Sequence, residues 1–417
     1  MKIGQVAKKY NISKDNLYYY ISYGLLVPPK NHTQYDFDEA TLRDLELILQ
    51  LKETDYSLSE IHQILSLYRV SGADNPEDRA ELLRFYMRKR TECVEKIQHY
   101  EQIIENLDRQ ITELSSADDS VKTHTGVPFS FFDLLCCPVC GKKFSVDEVN
   151  MDMEYIYNAR LTCSCGYHAV IDDGILITPN GYRGEEDKPD VERELYKDLP
   201  PSLISLFQRA YNNMKEELAR MDLSNSVVME TYINAWFFLH NHQRLFPSNG
   251  RYIIVDKFPE TLRMYKELIE RENYRLPILY LADSSTSYPL KKNSIDLHLD
   301  FFASNEHNFY RDSFLLEELK PYLKSDGRAL GTYFSFHAGE RSMQRLLREY
   351  PDCSPRNFSL PWFKQELDRS GYRLLTEKLC GSTTDSGENL GFSFHEPGDE
   401  MRLTTYLAEK KTAVAGY

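Results

Sequence analysis

The chain has no apolar stretch long enough to cross a bilayer: runs such as Ile233–Leu239 fall far short of the roughly 20 residues a spanning helix needs. No basic-then-apolar leader opens it, so secretion is not expected. Collagen-like and internal repeats are missing, and with 41% apolar and 27% charged residues the composition is not that of a disordered chain. P-loop, H-E-x-x-H and ordered Ser/His/Asp signatures are absent too, which removes the chemistries those motifs mark. An overall excess of base is lacking, since the net charge is −14, and this argues against a general nucleic-acid coat. The average hides a contrast. Through Tyr35, five lysines (Lys2, Lys8, Lys9, Lys14, Lys30) face Asp15 alone, the footprint of a small DNA-reading end on an acidic body. At roughly 100–200 residues per domain, 417 residues allow two to four domains.

Cysteine is sparse and unevenly placed. Five of eight lie between Cys136 and Cys165, while Cys93, Cys353 and Cys380 stand alone. Without a secretory signal such a cluster reads as a metal site in a reducing cytoplasm, not as a disulfide framework. Cys137-Pro-Val-Cys140-Gly141 and Cys163-Ser-Cys165-Gly166 supply two pairs separated by 22 residues. Glycine after each pair permits a tight turn, and four thiolates (Cys137, Cys140, Cys163, Cys165) suit a closed, structural tetrahedral Zn2+ site. Cys136 or His168 could replace one ligand, and a redox role for Cys136/Cys137 is the alternative. Residues 131–180, ending in Ile171-Asp-Asp-Gly-Ile-Leu176, resemble the zinc ribbons attached to some RNA methyltransferases and their partner proteins.

At the amino end, apolar residues at helical spacing from Ile3 to Ala7 are followed by the turn Asn11-Ile12-Ser13. Ser13 is a good N-cap for a helix over Lys14–Tyr23, which Gly24 stops. This is a helix-turn-helix pattern whose second helix enters the major groove. Ser13, Lys14, Asn16, Tyr18, Tyr19 and Tyr20 are its candidate DNA contacts. Lys30, Asn31, His32, Gln34 and Tyr35 would form a polar wing. The alternative is a helical domain used only for protein contacts. The ordered motifs KIGQVAKKYNISKDNLYYYISYGLLVPP and QYDFDEATLRDLELILQLKETDYSLSEIHQIL resemble the winged helix-turn-helix domain of MerR-family transcription regulators. That family usually has Leu-Arg-Tyr-Tyr in the recognition helix and Tyr-Arg-x-Tyr in the wing; here tyrosines stand for both arginines, at Tyr18 and Tyr35. Each lost phosphate contact should weaken affinity and flatten its salt dependence by about one counterion. The resemblance implies double-stranded promoter DNA and RNA polymerase as partners.

Ile97, Ile104 and Ile111 share one heptad position, and Cys93, Tyr100, Leu107 and Leu114 the complementary one. Such a seam favours a paired coiled coil over residues 73–116, with a helix packed on its own body as the alternative. MerR-like proteins pair through a helix after the DNA-binding domain, so a homodimer is implied. Expected boundaries are 1–72 for the reader, 73–116 for the coiled coil, 117–130 for a polar linker, 131–180 for the ribbon and 181–222 for a helical connector. Residues 223–417 form the last domain. In it, strand-like runs ending at Asp256 and Asp283 alternate with helical patterns (Pro259–Glu270, Phe314–Leu323), then a turn at Lys324–Gly327 and a strand at Arg328–Phe334. Such alternation implies a parallel sheet covered by helices, with ligands at the strands' carboxyl ends.

Ser226–Phe336 resembles class I methyltransferases that use S-adenosylmethionine. The expected whole is therefore multidomain: an all-α winged helix-turn-helix plus coiled coil, a small β zinc ribbon and an α/β Rossmann-like fold. By the resemblance, Asp256 matches the acid that holds ribose hydroxyls and Asp283 the acid near adenine. The E-x-G-x-G-x-G motif reads Glu230-Thr-Tyr232-Ile-Asn-Ala-Trp236 instead, so the glycines that let backbone approach cofactor are gone. Three readings stand open: a sensory pocket, with Glu230, Asp256 and Asp283, for S-adenosylmethionine or another apolar, flat small-molecule effector on which Tyr232 and Trp236 stack; a ligand-free scaffold; or a methyltransferase acting on nucleic acid or a small molecule. The acidic run Glu185-Glu186-Asp187 reads as solvated.

Overall fold

The structure is a computed structural model that describes residues 1–31, 34–72, 75–116, 123–272, 275–337, 339–387 and 393–411. The chain divides into two compact units, 1–119 and 120–417.

In the first unit, α1 (Ile3–Lys9) and α2 (Lys14–Ser22) form the helix-turn-helix. The short antiparallel strands β1 (Lys30–Asn31) and β2 (Gln34–Tyr35) form the wing, and α3 (Glu39–Glu53), α4 (Leu58–Ser71) and α5 (Pro76–Ser116) follow. Local chemistry sets the boundaries. Ser13 Oγ accepts from the Asn16 amide to start α2, Asp38 accepts from Thr41 to start α3, and Ser57 with Glu60 makes a reciprocal capping box on α4. Gly72 ends α4 at φ 72°, a left-handed cap for which glycine has no Cβ penalty. Val6, Leu17, Tyr20, Leu25, Leu45, Ile48 and Ile61 fill the core, and Leu82 and Phe85 of α5 join it. The reader's core therefore continues past residue 72. Beyond Phe85, α5 runs on for some eight turns as a helix whose apolar residues face outward.

The second unit is built on one twelve-stranded sheet. Its first strands are β3 (Val127–Pro128), β4 (Ser145–Met151), β5 (Tyr155–Thr162), β6 (His168–Asp172) and β7 (Ile175–Ile177). After α6 (Pro201–Leu218) come β8 (Val227–Thr231), α7 (Phe238–Asn241), β9 (Arg251–Asp256), α8 (Pro259–Glu270), β10 (Ile278–Ala282) and β11 (Ile295–Phe301). The chain continues through α9 (Ala303–Tyr310), α10 (Leu315–Leu319), β12 (Leu323–Ser335), α11 (Arg341–Glu349), α12 (Leu360–Arg369), β13 (Tyr372–Thr383) and β14 (Met401–Lys410). Strands β10-β9-β8-β11-β12 are parallel in that spatial order, and β14 inserts antiparallel between β12 and β13. Numbered from β8, this is order 3-2-1-4-5-7-6, a Rossmann-like methyltransferase arrangement. β8 through β11 are buried on both faces, as a helix-covered parallel sheet requires.

Two details differ from the sequence reading. The helix expected to reach Leu323 stops at Leu319, because Pro321 has no N–H to continue it. The chain is already in β12 at Leu323, and the Lys324–Gly327 turn lies inside that strand, opposite a register shift between Ile295 and Leu297. The ribbon is also no separate body. β7 pairs in parallel with β10, Ile175 opposite Tyr280, and its Ile175 and Leu176 are completely buried. The ribbon thus extends the edge of the central sheet.

Candidate functional site

The reader presents Lys14, Asn16, Tyr18 and Tyr19 on the exposed face of α2. Ser13, also exposed, has its hydroxyl occupied by the cap. Tyr20 departs from the expectation: it is buried, because it lies three residues from Leu17 on the face turned to α1, and it packs instead of reaching DNA. In the wing, Lys30, Asn31 and Gln34 are exposed and Tyr35 half-buried; His32 lies outside the described residues. The two tyrosines that stand for arginines meet. Tyr18 and Tyr35 are edge-to-face with ring centroids 6.2 Å apart, and Lys30 Nζ lies 5.0 Å from the centre of the Tyr35 ring. The helix and wing are therefore joined by an aromatic contact, worth about 0.5–1.5 kcal/mol in general.

On α5, Ile97, Tyr100, Ile104, Leu107, Ile111 and Leu114 are all at least half exposed. Cys93, the first seam residue, is half-buried.

The four expected thiols converge. Cys137, Cys140, Cys163 and Cys165 hold their sulfurs within 4.8 Å of one another, with Cys137–Cys165 and Cys140–Cys163 each at 3.4 Å. Gly141 and Gly166 adopt φ of 73° and 94°, and their amides bond the carbonyls of Cys137 and Cys163. Backbone N–H groups of Val139 and Cys140 point at Cys137, that of Lys142 at Cys140 and that of Cys165 at Cys163. Amides aimed at sulfur support thiolates, and this donor set can hold a metal ion. Cys136 and His168 do not join the four.

At the carboxyl ends of the parallel strands, the polar groups expected to meet a cofactor are bonded to protein. Asp256 accepts from the Asn234 and Phe258 amides at 3.0 and 2.9 Å. Asp283 accepts from Thr178 Oγ1, Asn180 Nδ2, and both the amide and hydroxyl of Ser285. Glu230 accepts from the Phe238 and Leu239 amides at 2.6 and 2.9 Å. Burial pushes Glu230 up to about 8, and burial together with Glu306 pushes Asp256 up to about 7. Asn234 also stitches the loop to the preceding segment. Its Oδ1 accepts from the Asp190 amide and the Thr261 hydroxyl, and its Nδ2 donates to the Lys188 carbonyl. Trp236 is buried against Phe207 of α6 and Phe302.

Tyr232 stands where a glycine would be expected and takes φ 59°. Its hydroxyl lies 2.6 Å from His307 Nδ1. The S-adenosylmethionine seat therefore does not fit. Tyr232, Asn234 and Trp236 stand at the three glycine positions, and the Asp256 and Asp283 carboxylates that would hold ribose and adenine are bonded to protein.

What remains open is a cleft of about 320 Å³ lined by Tyr182, Glu186, Tyr232, Lys257, Ser284, Glu306, His307, Arg311 and Asp352. It takes in the residues following β8, β9 and β10 together with α9, which follows β11. The sheet reverses its order between β8 and β11, the topological switch point where open α/β sheets hold ligands. Lys257 lies between Asp187, at 2.5 Å, and Glu306, at 3.0 Å. The acidic run is accordingly not merely solvated, since Asp187 pairs with the half-buried Lys257 and Glu186 lines the cleft. Sequence reasoning missed Thr178, Asn180, Asp190 and Lys257 and left His307 unassigned. The one available signal was position, Lys257 directly after the strand-ending Asp256.

Family models match the amino end: "MerR HTH family regulatory protein" over residues 1–67 and "MerR, DNA binding" over residues 42–110. The chain is 28% identical over 134 residues to the HTH-type transcriptional regulator ZntR homolog of Haemophilus influenzae, covering 31% of this chain and 97% of that one. The second unit is similar to a SAM dependent methyltransferase from Aquifex aeolicus (17% identity, 53% of this chain, 99% of that one, TM-score 0.35). It is also similar to phosphoethanolamine N-methyltransferase 2 of Haemonchus contortus (11% identity, 48% of this chain, TM-score 0.35), of which the chain spans about half the length, 52%. The strand order above is what defines the fold. The amino end carries a MerR-type DNA-binding segment of a transcription regulator.

Proposed function

We propose that the chain works as a homodimer on promoter DNA and that its methyltransferase-like unit senses an effector instead of transferring methyl groups. Residues 1–72 read the operator with Lys14, Asn16, Tyr18 and Tyr19 in the major groove and Lys30, Asn31, Gln34 and Tyr35 at the backbone. The observation that carries this reading is the exposed polar-aromatic face of α2 inside a matched MerR segment. Residues 73–116 pair two copies. The outward apolar row from Ile97 to Leu114 supports this, because burying such a row against a twin removes it from water at about 25 cal/mol per Å².

A Zn2+ held by Cys137, Cys140, Cys163 and Cys165 braces residues 131–180; with all four positions taken by protein it supplies folding energy and no catalysis. The segments expected to be a linker and a helical connector, 117–130 and 181–222, belong in part to the methyltransferase-like body itself, since β3 is a strand of its sheet and Leu206, Phe207 and Met214 of α6 lie in its core. That body carries the sensing role because its cofactor seat is filled while the neighbouring cleft is open. On promoter DNA, with RNA polymerase as partner, such a dimer acts by deforming the duplex, which costs on the order of 1–6 kcal/mol. An effector that favours one state of the dimer shifts that cost by its differential affinity for the two states.

Selection of genomic fragments by the purified full chain, with light scattering on the same sample, tests the reading. Recovery of a few near-palindromic promoter fragments by a dimer is expected. Retention of no fragment at low ionic strength, or a monomer at micromolar concentration, would overturn it.

A further inference from the structure

The strand-end cleft has a consistent polarity, set by where its hydroxyl protons point. His307 is buried and pushed down to about 4 by that burial, so it is neutral near pH 7. Its Nε2 lies 3.0 Å from the Ser313 carbonyl, which can only accept, so the ring proton sits on Nε2. Nδ1 is then an acceptor and takes the Tyr232 hydroxyl proton. Tyr182 likewise donates its hydroxyl to Glu186 at 2.9 Å, and Ser284 donates its own to the Asn180 carbonyl at 2.8 Å. All three hydroxyls lining the cleft have spent their protons on protein and present lone pairs.

Carboxylates add to this. Glu186, Glu306 and Asp352 line the cleft against Lys257 and Arg311. Lys257 is already paired with Asp187 as well as Glu306, and Arg311 donates to the Ser284 carbonyl. Glu306 Oε1 is buried 3.0 Å from Lys257 Nζ and has no hydrogen bond of good geometry there. With Asp187 included, four acidic side chains face two cations; burial pushes the Glu306 carboxyl up, and the Lys257 charge beside it pulls the other way. The aromatic walls are Tyr182 and Tyr232, whose rings lie 5.3 and 5.9 Å from Lys257 Nζ and so already tolerate a cation. The volume, about 320 Å³, is at the small end of ligand sites.

We infer that this cleft binds a small protonated organic amine bearing a ring, with its N–H groups donating to Glu306, Tyr232 and Ser284 and its ring against Tyr182 and Tyr232. The inference deepens the effector-sensing reading by naming the ligand class, and it rests on that reading only for its consequence on DNA. An acceptor-lined site with surplus negative charge rejects carboxylates by repulsion. It gains less from a neutral alcohol, which lacks the charge, and less from a quaternary ammonium, which lacks the N–H. S-adenosylmethionine also carries positive charge, but the acids its adenosine would need, Asp256 and Asp283, are already bonded to protein.

The test uses the full chain with bound metal and, as probes, tryptamine, tyramine, their neutral alcohol and carboxylate counterparts, benzyltrimethylammonium and S-adenosylmethionine. Calorimetry and thermal shift are expected to show at least one primary amine binding tenfold or more tighter than its alcohol and its carboxylate. Glu306→Gln is expected to lower that affinity tenfold or more. Should Glu306→Gln fold poorly by circular dichroism, Asp352→Asn serves, since Asp352 is exposed at the cleft and its loss should weaken amine binding about threefold without unfolding the unit. Equal binding of amine and alcohol, no amine binding at millimolar concentration, or S-adenosylmethionine binding that Glu306→Gln leaves untouched would overturn the inference. Amine binding that leaves promoter affinity unchanged would support the site and sink the sensor reading alone.

Discussion

The cysteine knuckles and the loop after β8 impose the same demand on the backbone and meet it with opposite residues. Gly141, Gly166 and Tyr232 all sit at positive φ. A Cβ added at either glycine would meet no atom within 4 Å, so conformation and not crowding favours glycine there. Tyr232 accepts the left-handed geometry at a cost on the order of 1–3 kcal/mol, offset by its amide bond to the Val255 carbonyl, its hydroxyl contact with His307 and its burial. One turn stays small and leaves its ligand sphere open to an ion. The other places an aromatic side chain at the position where the resembled motif has a glycine. A positive φ therefore says where the chain must turn, and the residue placed there says whether anything else is meant to enter.

The largest effect should come from the knuckles. Cys163→Ser, or strong chelation, should release the metal and destabilise the whole second unit by several kcal/mol, because the ribbon shares its sheet with β10. Isolated zinc fingers draw about 10–16 kcal/mol from their metal. Paired metal analysis and thermal melts check this, and a metal-free variant melting like wild type would dissolve the comparison. Next comes Trp236→Ala, which empties a buried ring from the filled loop and should cost about 3–5 kcal/mol in urea unfolding. A loss below 1 kcal/mol would mean the tryptophan lies in a ligand space and not in core.

Glu230 gives a smaller, pH-dependent effect. Its folded value of about 8 lies above its ordinary 4.5, so its contribution to stability is complete below 4.5 and lost as pH rises through 8. Half-buried His240 and buried His298 and His307 are held low, at about 4, 3 and 4, and lose stability only as pH falls below 6.5. The window from pH 6.5 to 8.5 thus belongs to the carboxyls. Stability of the second unit should decline across it, and Glu230→Gln should flatten that decline while lowering stability overall. A slope unchanged in the variant would assign it to Asp256. The smallest effect lies in the reader: Tyr18→Arg should steepen the salt dependence of promoter affinity by about one counterion. An unaltered slope would show that this position faces no phosphate.

Much of this architecture is legible in one sequence because it rests on local rules. Ser13, Gly24 and the spacing of Val6 and Leu17 mark the helix-turn-helix. The C-x-x-C and C-x-C pairs mark four thiols that do converge. The strand-ending Asp256 and Asp283 mark the ends of β9 and β10. What local rules do not carry is partnership across the chain. That Asp283 is consumed by Thr178 and Asn180, or that Asn234 ties the strand end to Asp190, depends on contacts more than 40 residues apart. Tyr20 was misplaced for a related reason: three consecutive tyrosines look alike in sequence, and only the 100° step of the helix turns the third inward. The fusion of ribbon and sheet was hidden because β7, a three-residue strand, carries no periodicity of its own.

The central claim, that the methyltransferase-like unit keeps the fold and has given up the cofactor, is tested most directly by titrating S-adenosylmethionine into the metal-loaded full chain in a calorimeter. The account predicts no saturable heat up to millimolar concentration. A one-to-one isotherm in the micromolar range, abolished by Asp256→Ala, would contradict it.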